Sequence, residues 1–411
     1  MTDWIDCKLS DIGTIVGGAT PSTKIAENYE GGTIPWITPK DLSTFSGRYI
    51  EKGERSITDV GLKSCSTQLL PKNTVLFSSR APIGYVAIAS NELCTNQGFK
   101  SVIPNKETDH LFLYYLLKYN KGKIEGMGSG TTFKEVSGNV MKNVTVRIPL
   151  SKEIQKKIAS ILGSIDDKIE ENEKINNNLH QQIQLLCRSW LVDYMPFGYE
   201  QPATWSVVPL SSIADFVSGY SYKGSELVES NIAMATIKNF DRRGGFKLDG
   251  YKEIQPSAKL KPEQHAELFD TLVAHTDLTQ NAEVIGNAEP ILSMSGYKDI
   301  VFSMDVVKVL PKKGVSKFLL AAILQDGRFK AHALGYVNGT TVLHLSKKAL
   351  PEFELPLPSD LKDLTPLTNA VEVMYRQIAC NIDEITQLTK LRDSLLPQLM
   401  SGELDVSDID L

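Results

Sequence analysis

From Leu162 to Trp190 the apolar positions recur in alternating steps of three and four. Leu162, Ile165, Ile169, Asn172, Asn176, Leu179, Ile183, Leu186 and Trp190 form one a/d seam, apolar except at its two asparagines. Adding 209 to each number yields Val371, Met374, Ile378, Asn381, Ile385, Leu388, Arg392, Leu395 and Leu399, a second seam, apolar except at Asn381 and Arg392. Each seam closes one half of the chain, which predicts a duplicated architecture with two long helices. The first is expected to begin after Ser151, with Glu153 in its first turn, and to stop before Pro196. About 40 residues at 1.5 Å each make it roughly 60 Å long. The second is expected to open near Thr365-Pro366 and to end at Pro397.

Elsewhere the pattern is of short strands. Ile34 to Ile37, Thr74 to Phe77, Tyr85 to Ala89 and Val144 to Ile148 read as strands, and Leu111 to Tyr119 as a compact helix. Short strands, long polar loops and one helix predict an α+β domain over residues 1–150. A spacer helix follows over 151–195. A second domain spans 196–358, and the second spacer helix with its tail spans 359–411. The second domain repeats the first: Trp205 stands for Trp4, Ala235 to Asn239 for Trp36 to Thr38, and Asn338-Gly339-Thr340-Thr341 for Ser129-Gly130-Thr131-Thr132. The middles match less well than the ends. About a dozen residues join the first helix to Trp205, too few to return along such a rod. The expected arrangement is therefore two pseudo-symmetric α+β domains separated by two long antiparallel coiled-coil helices. Asparagines in the seam cost stability but set register.

Composition narrows the function class. No apolar run reaches the roughly 20 residues of a membrane helix, so no membrane partner is expected. The five cysteines are scattered singly, as reduced thiols in a cytoplasmic protein are, and the dispersed histidines suggest no metal site. Residues 1–150 carry 17 Lys and Arg against 14 Asp and Glu, whereas residues 361–411 carry 4 against 9. Nucleic-acid binding would therefore have to use local basic patches. The glycines at 126, 128 and 130 lack the GK[ST] ending of a phosphate loop. Asp166-Asp167 is expected on a solvated helix face. The chain shows no glycine loop of a methyl-donor site, and no catalytic residue is assigned.

Several loops mix groups suited to base edges with groups suited to phosphates. In the first half these are Thr38 and Lys40, Ser79 and Arg80, Asn96 and Gln97, and Thr131, Thr132 and Lys134. In the second half they are Lys238, Asn239, Arg242, Arg243, Thr279, Gln280, Asn281, Thr340 and Thr341. Asn and Gln suit adenine, Arg suits guanine and Lys suits phosphate. Each residue alone reads more readily as an ordinary loop position or turn hydrogen bond; together, in two domains at the ends of a spacer, they suggest DNA recognition.

Several segments and their order carry a family resemblance: Ser78-Ser79-Arg80-Ala81-Pro82-Ile83-Gly84 with Thr95 to Phe99, the Gly130-Thr131-Thr132 turn, Ser189 to Asp193, and the ending Leu391 to Leu404. With them in sequence along a duplicated chain, the protein resembles the DNA specificity subunits of type I restriction–modification enzymes. That resemblance implies two target-recognition domains, each reading half of a split double-stranded DNA site, with the helices setting the gap. It implies two modification (methyltransferase) subunits docked on the helices, and restriction (translocase/nuclease) subunits beyond them. S-adenosylmethionine, ATP and Mg would then belong to those partners, and this chain would hold no cofactor. Thr276-Asp277-Leu278-Thr279 stands where the family's Ser-Arg-Ala-Pro is expected in the second half, so Arg80 has no counterpart there. Two other readings remain open: a specificity module for a fused methyltransferase–nuclease, and a coiled-coil adaptor without a DNA role.

Overall fold

The structure, a computed structural model, describes residues 3–130 and 134–409. It divides into two compact units, Met1–Glu170 with Gln387–Leu411, and Glu171–Thr386. The class is α+β, with two helices far longer than the rest, Lys152–Leu191 and Thr365–Ser401.

In the first unit Trp4–Lys8 pairs antiparallel with Thr145–Pro149, Trp4 opposite Pro149. A five-stranded sheet follows in the order Gly13–Gly17, Lys100–Pro104, Val75–Ser79, Ile83–Ala89, Tyr49–Ile50. A smaller sheet sets Ile34–Ile37 between antiparallel Arg55–Ile57 and parallel Cys94–Thr95. The helix His110–Tyr119 buries every residue from Phe112 to Leu117, and Asp109 caps it by accepting from the N–H groups of Leu111 and Phe112. Ile158, Ala159 and Leu162 of the first long helix close that core together with Leu399 and Met400 of the second.

The second unit reproduces this frame. Trp205 pairs with Pro358 across Trp205–Pro209 and Glu354–Pro358. One four-stranded sheet runs Ala214–Ser218, Val306–Pro311, Thr271–Ala274, Ala288–Pro290, and a second four-stranded sheet pairs Ile232–Ala235 parallel to Asp299–Phe302. Even a close approach is repeated. A Cβ on Gly18 would collide with the carbonyls of Thr95 and Asn96, and one on Gly219 with those of Phe302 and Ser303. Only glycine lets the chain pass over the end of that parallel strand in either unit.

Both seams are buried or half-buried along their whole length. In the second unit the pairing is antiparallel: Asn172 Nδ2 donates to Glu384 Oε2 at 2.8 Å, and Asn381 Nδ2 to Asn176 Oδ1 at 2.8 Å. Gln377 Nε2 donates to Asn381 Oδ1 at 2.7 Å, so the buried amide oxygen is also satisfied. Tyr375 and Cys187, off the heptad pattern, are buried as well, because here each helix packs against its domain as well as against the other helix.

Two expectations are corrected. Asp166 is buried rather than solvated: Tyr115 Oη donates to its Oδ2 at 2.6 Å, and Arg392 Nη1 meets its Oδ1 at 2.8 Å. The arginine at a seam position is thus the partner of an acid that reads as surface in the sequence. Pro397 does not end the second helix, which runs on to Ser401. Proline removes one helical N–H donor, but Leu395 and Leu396 before it and Leu399 and Met400 after it pack into the first unit's core and hold the turn in place.

The asparagine pair makes a direct prediction. Asn381→Ala leaves the Asn176 carbonyl and the Gln377 amide without their buried partner and should cost about 1–3 kcal/mol in urea unfolding. Replacing Asn176 and Asn381 together by Leu should recover most of that loss; single variants as stable as the parent would contradict the pairing.

Candidate nucleic-acid interface

In the first unit the backbone gathers the predicted loops into one surface. Asn96 N–H donates to Ile37 O at 3.0 Å, Ser79 N–H to Gly98 O at 2.7 Å and Val136 N–H to Ser79 O at 2.9 Å. The loops carrying Thr38, Asn96, Gln97, Arg80 and Lys134 therefore lie side by side. Thr38 and its hydroxyl both donate to Asp41 Oδ2, at 2.7 and 2.6 Å, which makes Thr38 a cap of the short helix Pro39–Ser43. Lys40 is exposed and pairs with Glu54 at 2.7 Å. Asn96 Oδ1 accepts from Gly98 N–H at 2.8 Å, while Gln97 is exposed and takes the Thr20 hydroxyl.

The chemistry concentrates where Glu135 faces two cations. Arg80 Nη1 lies 3.3 Å from Glu135 Oε2, and Lys100 Nζ lies 3.5 Å from Oε1. Both contacts are long; Arg80 and Glu135 are part-exposed, whereas Lys100 is largely covered, so Arg80 keeps its charge at the surface. Lys134, next to Glu135 in the chain, is exposed. Thr131 and Thr132 lie outside the described residues. Lys100 and Glu135 were not singled out in the sequence, although each adjoins a segment that was, after Phe99 and after Lys134.

The second unit gathers its loops around a cleft of about 330 Å³ lined by Lys238, Arg242, Lys247, Asp249, Leu278 and Thr279 among others. Thr236 and Asn239 form the counterpart of the Thr38–Asp41 turn, with Thr236 N–H donating to Asn239 Oδ1 at 2.8 Å. Arg242 pairs with Glu283 at 3.3 Å and Arg243 with Asp241 at 3.7 Å, all on the surface. Gln280 donates to the carbonyl of Thr340, which ties the Thr279–Asn281 loop to the Gly-Thr-Thr turn; Asn281, Thr340 and Thr341 are exposed. Asp277 organises the loop from within by accepting from the N–H groups of Thr279 and Val284, both at 2.7 Å. Burial pushes its carboxyl up, but these bonds outweigh burial and hold it below the ordinary value. From behind, Lys330 donates to the carbonyls of Ala282, Glu283 and Ile285, and burial lowers its ammonium to about 8.

Ser79 and Asn239 are corrections among the expected contacts. Both are 0% exposed. The Ser79 hydroxyl donates to Gly98 O at 3.1 Å and the Asn239 amide to Lys247 O at 2.8 Å, so they build the loops from inside. Sequence reading cannot separate such a residue from its exposed neighbour, because a turn needs the same hydrogen-bonding side chains as a base edge.

The backbone register also shows what replaces the first unit's charges. Val136 N–H reaches Ser79 O where Leu345 N–H reaches His275 O, and Ser79 N–H reaches Gly98 O where His275 N–H reaches Asp305 O. In that register Arg80 corresponds to Thr276, Lys100 to Val307 and Glu135 to His344. The Arg-Lys-Glu cluster has become Thr-Val-His, and the second unit's exposed cations come instead from Lys238, Arg242, Arg243 and Lys247.

Among the described residues no group of three His, Cys, Asp or Glu could hold a metal ion, and no helix is long and apolar enough to cross a membrane. The sequence model described as "Type I restriction modification DNA specificity domain" matches residues 1–181. The MjaIX type I restriction enzyme specificity subunit of Methanocaldococcus jannaschii is 33% identical over 422 residues, covering 99% of this chain and 95% of that protein. The HindI specificity subunit of Haemophilus influenzae is 23% identical, covering 98% of this chain and 100% of its own. A crystal structure of a type I restriction–modification S subunit from M. genitalium shares the fold, with a TM-score of 0.58 at 17% identity over 97% of this chain and 96% of that one.

Glu289 provides a pH test of the second unit. Its Oε1 accepts from Gly245 N–H and its Oε2 from Gln325, both at 2.7 Å, and burial pushes its carboxyl up to about 7 against these donors. With the folded value above the unfolded one, stability is full at acid pH and falls as pH rises toward and through 7. The loss should be on the order of 2–3 kcal/mol between about pH 4.5 and 8. Glu289→Gln should flatten that slope in urea titrations followed at each pH; an equal slope in both proteins would contradict the assignment.

Proposed function

Because the chain belongs to the specificity subunits of type I restriction–modification enzymes, we propose that it directs such a complex to a two-part DNA target, each unit reading one half-site. It is a DNA-specificity subunit rather than one of the catalytic subunits, and DNA and the other subunits of the complex are its partners. The observation that carries the two-part reading is the repeated frame with different polar side chains. Sheet order, the parallel strand pair, the Thr turn and the close-approach glycine recur in both units. Arg80, Lys100 and Glu135 do not: Thr276, Val307 and His344 stand in their places. One scaffold presenting two different surfaces suits two different base sequences.

On this reading Arg80, Gln97, Lys100, Lys134 and Glu135 face the first half-site, with Thr131 and Thr132 assigned there from sequence. Lys238, Arg242, Arg243, Lys247, Gln280, Asn281, Thr340 and Thr341 face the second. Thr38, Asn96 and Thr279 shape the loops, and Lys40 serves phosphate. The long helices set the gap and dock two methyltransferase subunits, half-sites about one turn apart (roughly 34 Å) suiting their length. S-adenosylmethionine, and ATP and Mg where a restriction subunit is present, belong to those partners, and the complex works in the cytoplasm.

The test is a pull-down from the native host with this chain as bait, followed by sequencing of methylated adenines. Recovery of an adenine methyltransferase and a split methylated target is expected. Recovery of no methyltransferase, with the bait folded and the partner expressed, would leave the adaptor reading in its place. A second prediction concerns the charged cluster. Glu135→Gln frees Arg80 and Lys100 for phosphate and should tighten DNA binding in the assembled complex at low salt, steepening the salt dependence by about one unit in log–log slope. An unchanged slope would remove the cluster from the interface.

A further inference from the structure

A split target is recognised only if its two halves are presented at one spacing and one rotation. B-DNA turns once in 10–10.5 base pairs, so adding one base pair to the gap rotates a half-site by about 35° and moves it by about 3.4 Å. Rejecting that change requires each reading domain to be held against rotation about its helix. The helix seam sets helix against helix and says nothing about the angle of a domain. Apolar packing between domain and helix is favourable but non-directional. Directional restraint has to come from polar contacts.

The first unit has such contacts on one stripe of the first long helix. Arg48 is 5% exposed. Its Nε donates to Glu170 Oε1 at 2.9 Å, its Nη2 to Asp167 Oδ1, and its Nη1 to the main-chain carbonyl of Gly163 at 3.3 Å. Its own backbone N–H adds a bond to Glu170 Oε1 at 3.1 Å. Positions 163, 167 and 170 are spaced four and three apart, one above another along two turns. A planar guanidinium engaged on all three nitrogens has one orientation, which an ammonium would not impose.

The helix sequence carries a second sign of this contact. Gly163 stands mid-helix, where only proline is a weaker helix former. A Cβ there would lie 3.2 Å from Leu111 Cδ2 and 3.4 Å from Arg48 Nη1. The glycine lets the guanidinium settle on the helix backbone.

On the domain side the restraint reaches the reading surface. Arg48 O accepts from Ile88 N–H at 2.7 Å, which fastens it to the strand Ile83–Ala89. That strand begins three residues after Arg80. Beside this clamp, Tyr115 from the domain's helix donates to Asp166, and Asp166 pairs with Arg392, so one domain side chain is tied to both long helices.

We propose that Arg48, seated on Gly163, Asp167 and Glu170, is a positioning residue that sets the rotational phase of the first reading domain and thereby the gap length the enzyme accepts. The proposal rests on the two-half-site reading. It adds a determinant outside the length of the helices.

The test uses the complete complex of this chain with its host methyltransferase subunits. Methylation is timed on duplexes with identical half-sites and a gap of native length, one base pair shorter or one longer. For Arg48→Ala the rate on the off-length duplexes, relative to the native gap, is expected to rise on the order of tenfold, because orientation is what the clamp supplies. Glu170→Gln keeps the size of the partner and should give a smaller rise in the same ratio; it also serves if Arg48→Ala fails to fold. Tyr115→Phe, which removes one hydroxyl, should add to either. A uniform loss of rate at all three lengths would mean a purely structural role and would overturn the proposal, as would unchanged discrimination in both Arg48→Ala and Glu170→Gln. If the parent complex methylates a continuous site, the two-half-site reading itself fails; a split site with unchanged discrimination sinks the clamp alone.

Discussion

A long helix with an apolar stripe has to bury that stripe, and in each unit it does so against a stretch of the other long helix and against its domain. Everything else is hung on that constraint. In the first unit Leu162 and its neighbours meet Leu399 and Met400; in the second, Ile183 and Cys187 meet Val371, Tyr375 and Ile378. Apolar contact alone would tolerate a slip of one turn. The Asn381–Asn176 bond and the Asn172–Glu384 bond do not, because a slipped register would bury amides without partners. The register is specified by the positions where the seam is polar.

Each domain is joined to its helix segment by chemistry of its own. In the first unit the joint is ionic: Arg48 with Asp167 and Glu170, and Arg392 with Asp166. Burial works against the Arg48 charge, yet the two carboxylates raise its pKa above the ordinary value, so it stays charged in place. In the second unit the joint is a relay of mostly neutral hydrogen bonds. Tyr375 Oη donates to Gln325 Oε1 at 2.6 Å, Gln325 donates on to Glu289, and Glu289 accepts from Gly245 beneath the Arg242–Arg243 turn. Ser293 adds a bond to Asp383 at 2.6 Å. The second joint contains Glu289, whose carboxyl burial pushes up to about 7. Two copies of one frame have thus diverged in their surface side chains and in their attachments.

That divergence matches the division of labour expected of a specificity subunit. The strands, the Thr turn and the close-approach glycine answer to backbone geometry, which both units share. Residues that face outward answer only to what they touch. Arg80 is replaced by Thr276 and Lys100 by Val307 within the same backbone register, and both replacements are buried, Val307 in the second unit's core.

Much of this was legible in the residues themselves. Heptad periodicity depends only on 3.6 residues per turn, so the two seams, their 209-residue offset and the α+β domains could be read directly. Loop composition identified the stretches that converge, since strand-to-turn chemistry is local. What lay beyond reach was which side chain in a stretch points outward. Ser79 and Asn239 carry the same hydrogen-bonding groups as a base reader, and only the folded chain turns them inward. Asp166 beside Lys168 reads as a surface charge until Tyr115 and Arg392, 51 and 226 residues away, close over it. Pro397 reads as a stop until the core on either side of it holds the helix together. Arg48 is one basic residue among many until the fold lays it across Gly163, Asp167 and Glu170. Local spacing determined the elements; contacts between residues far apart in sequence decided which polar groups hold the molecule together and which are left facing outward.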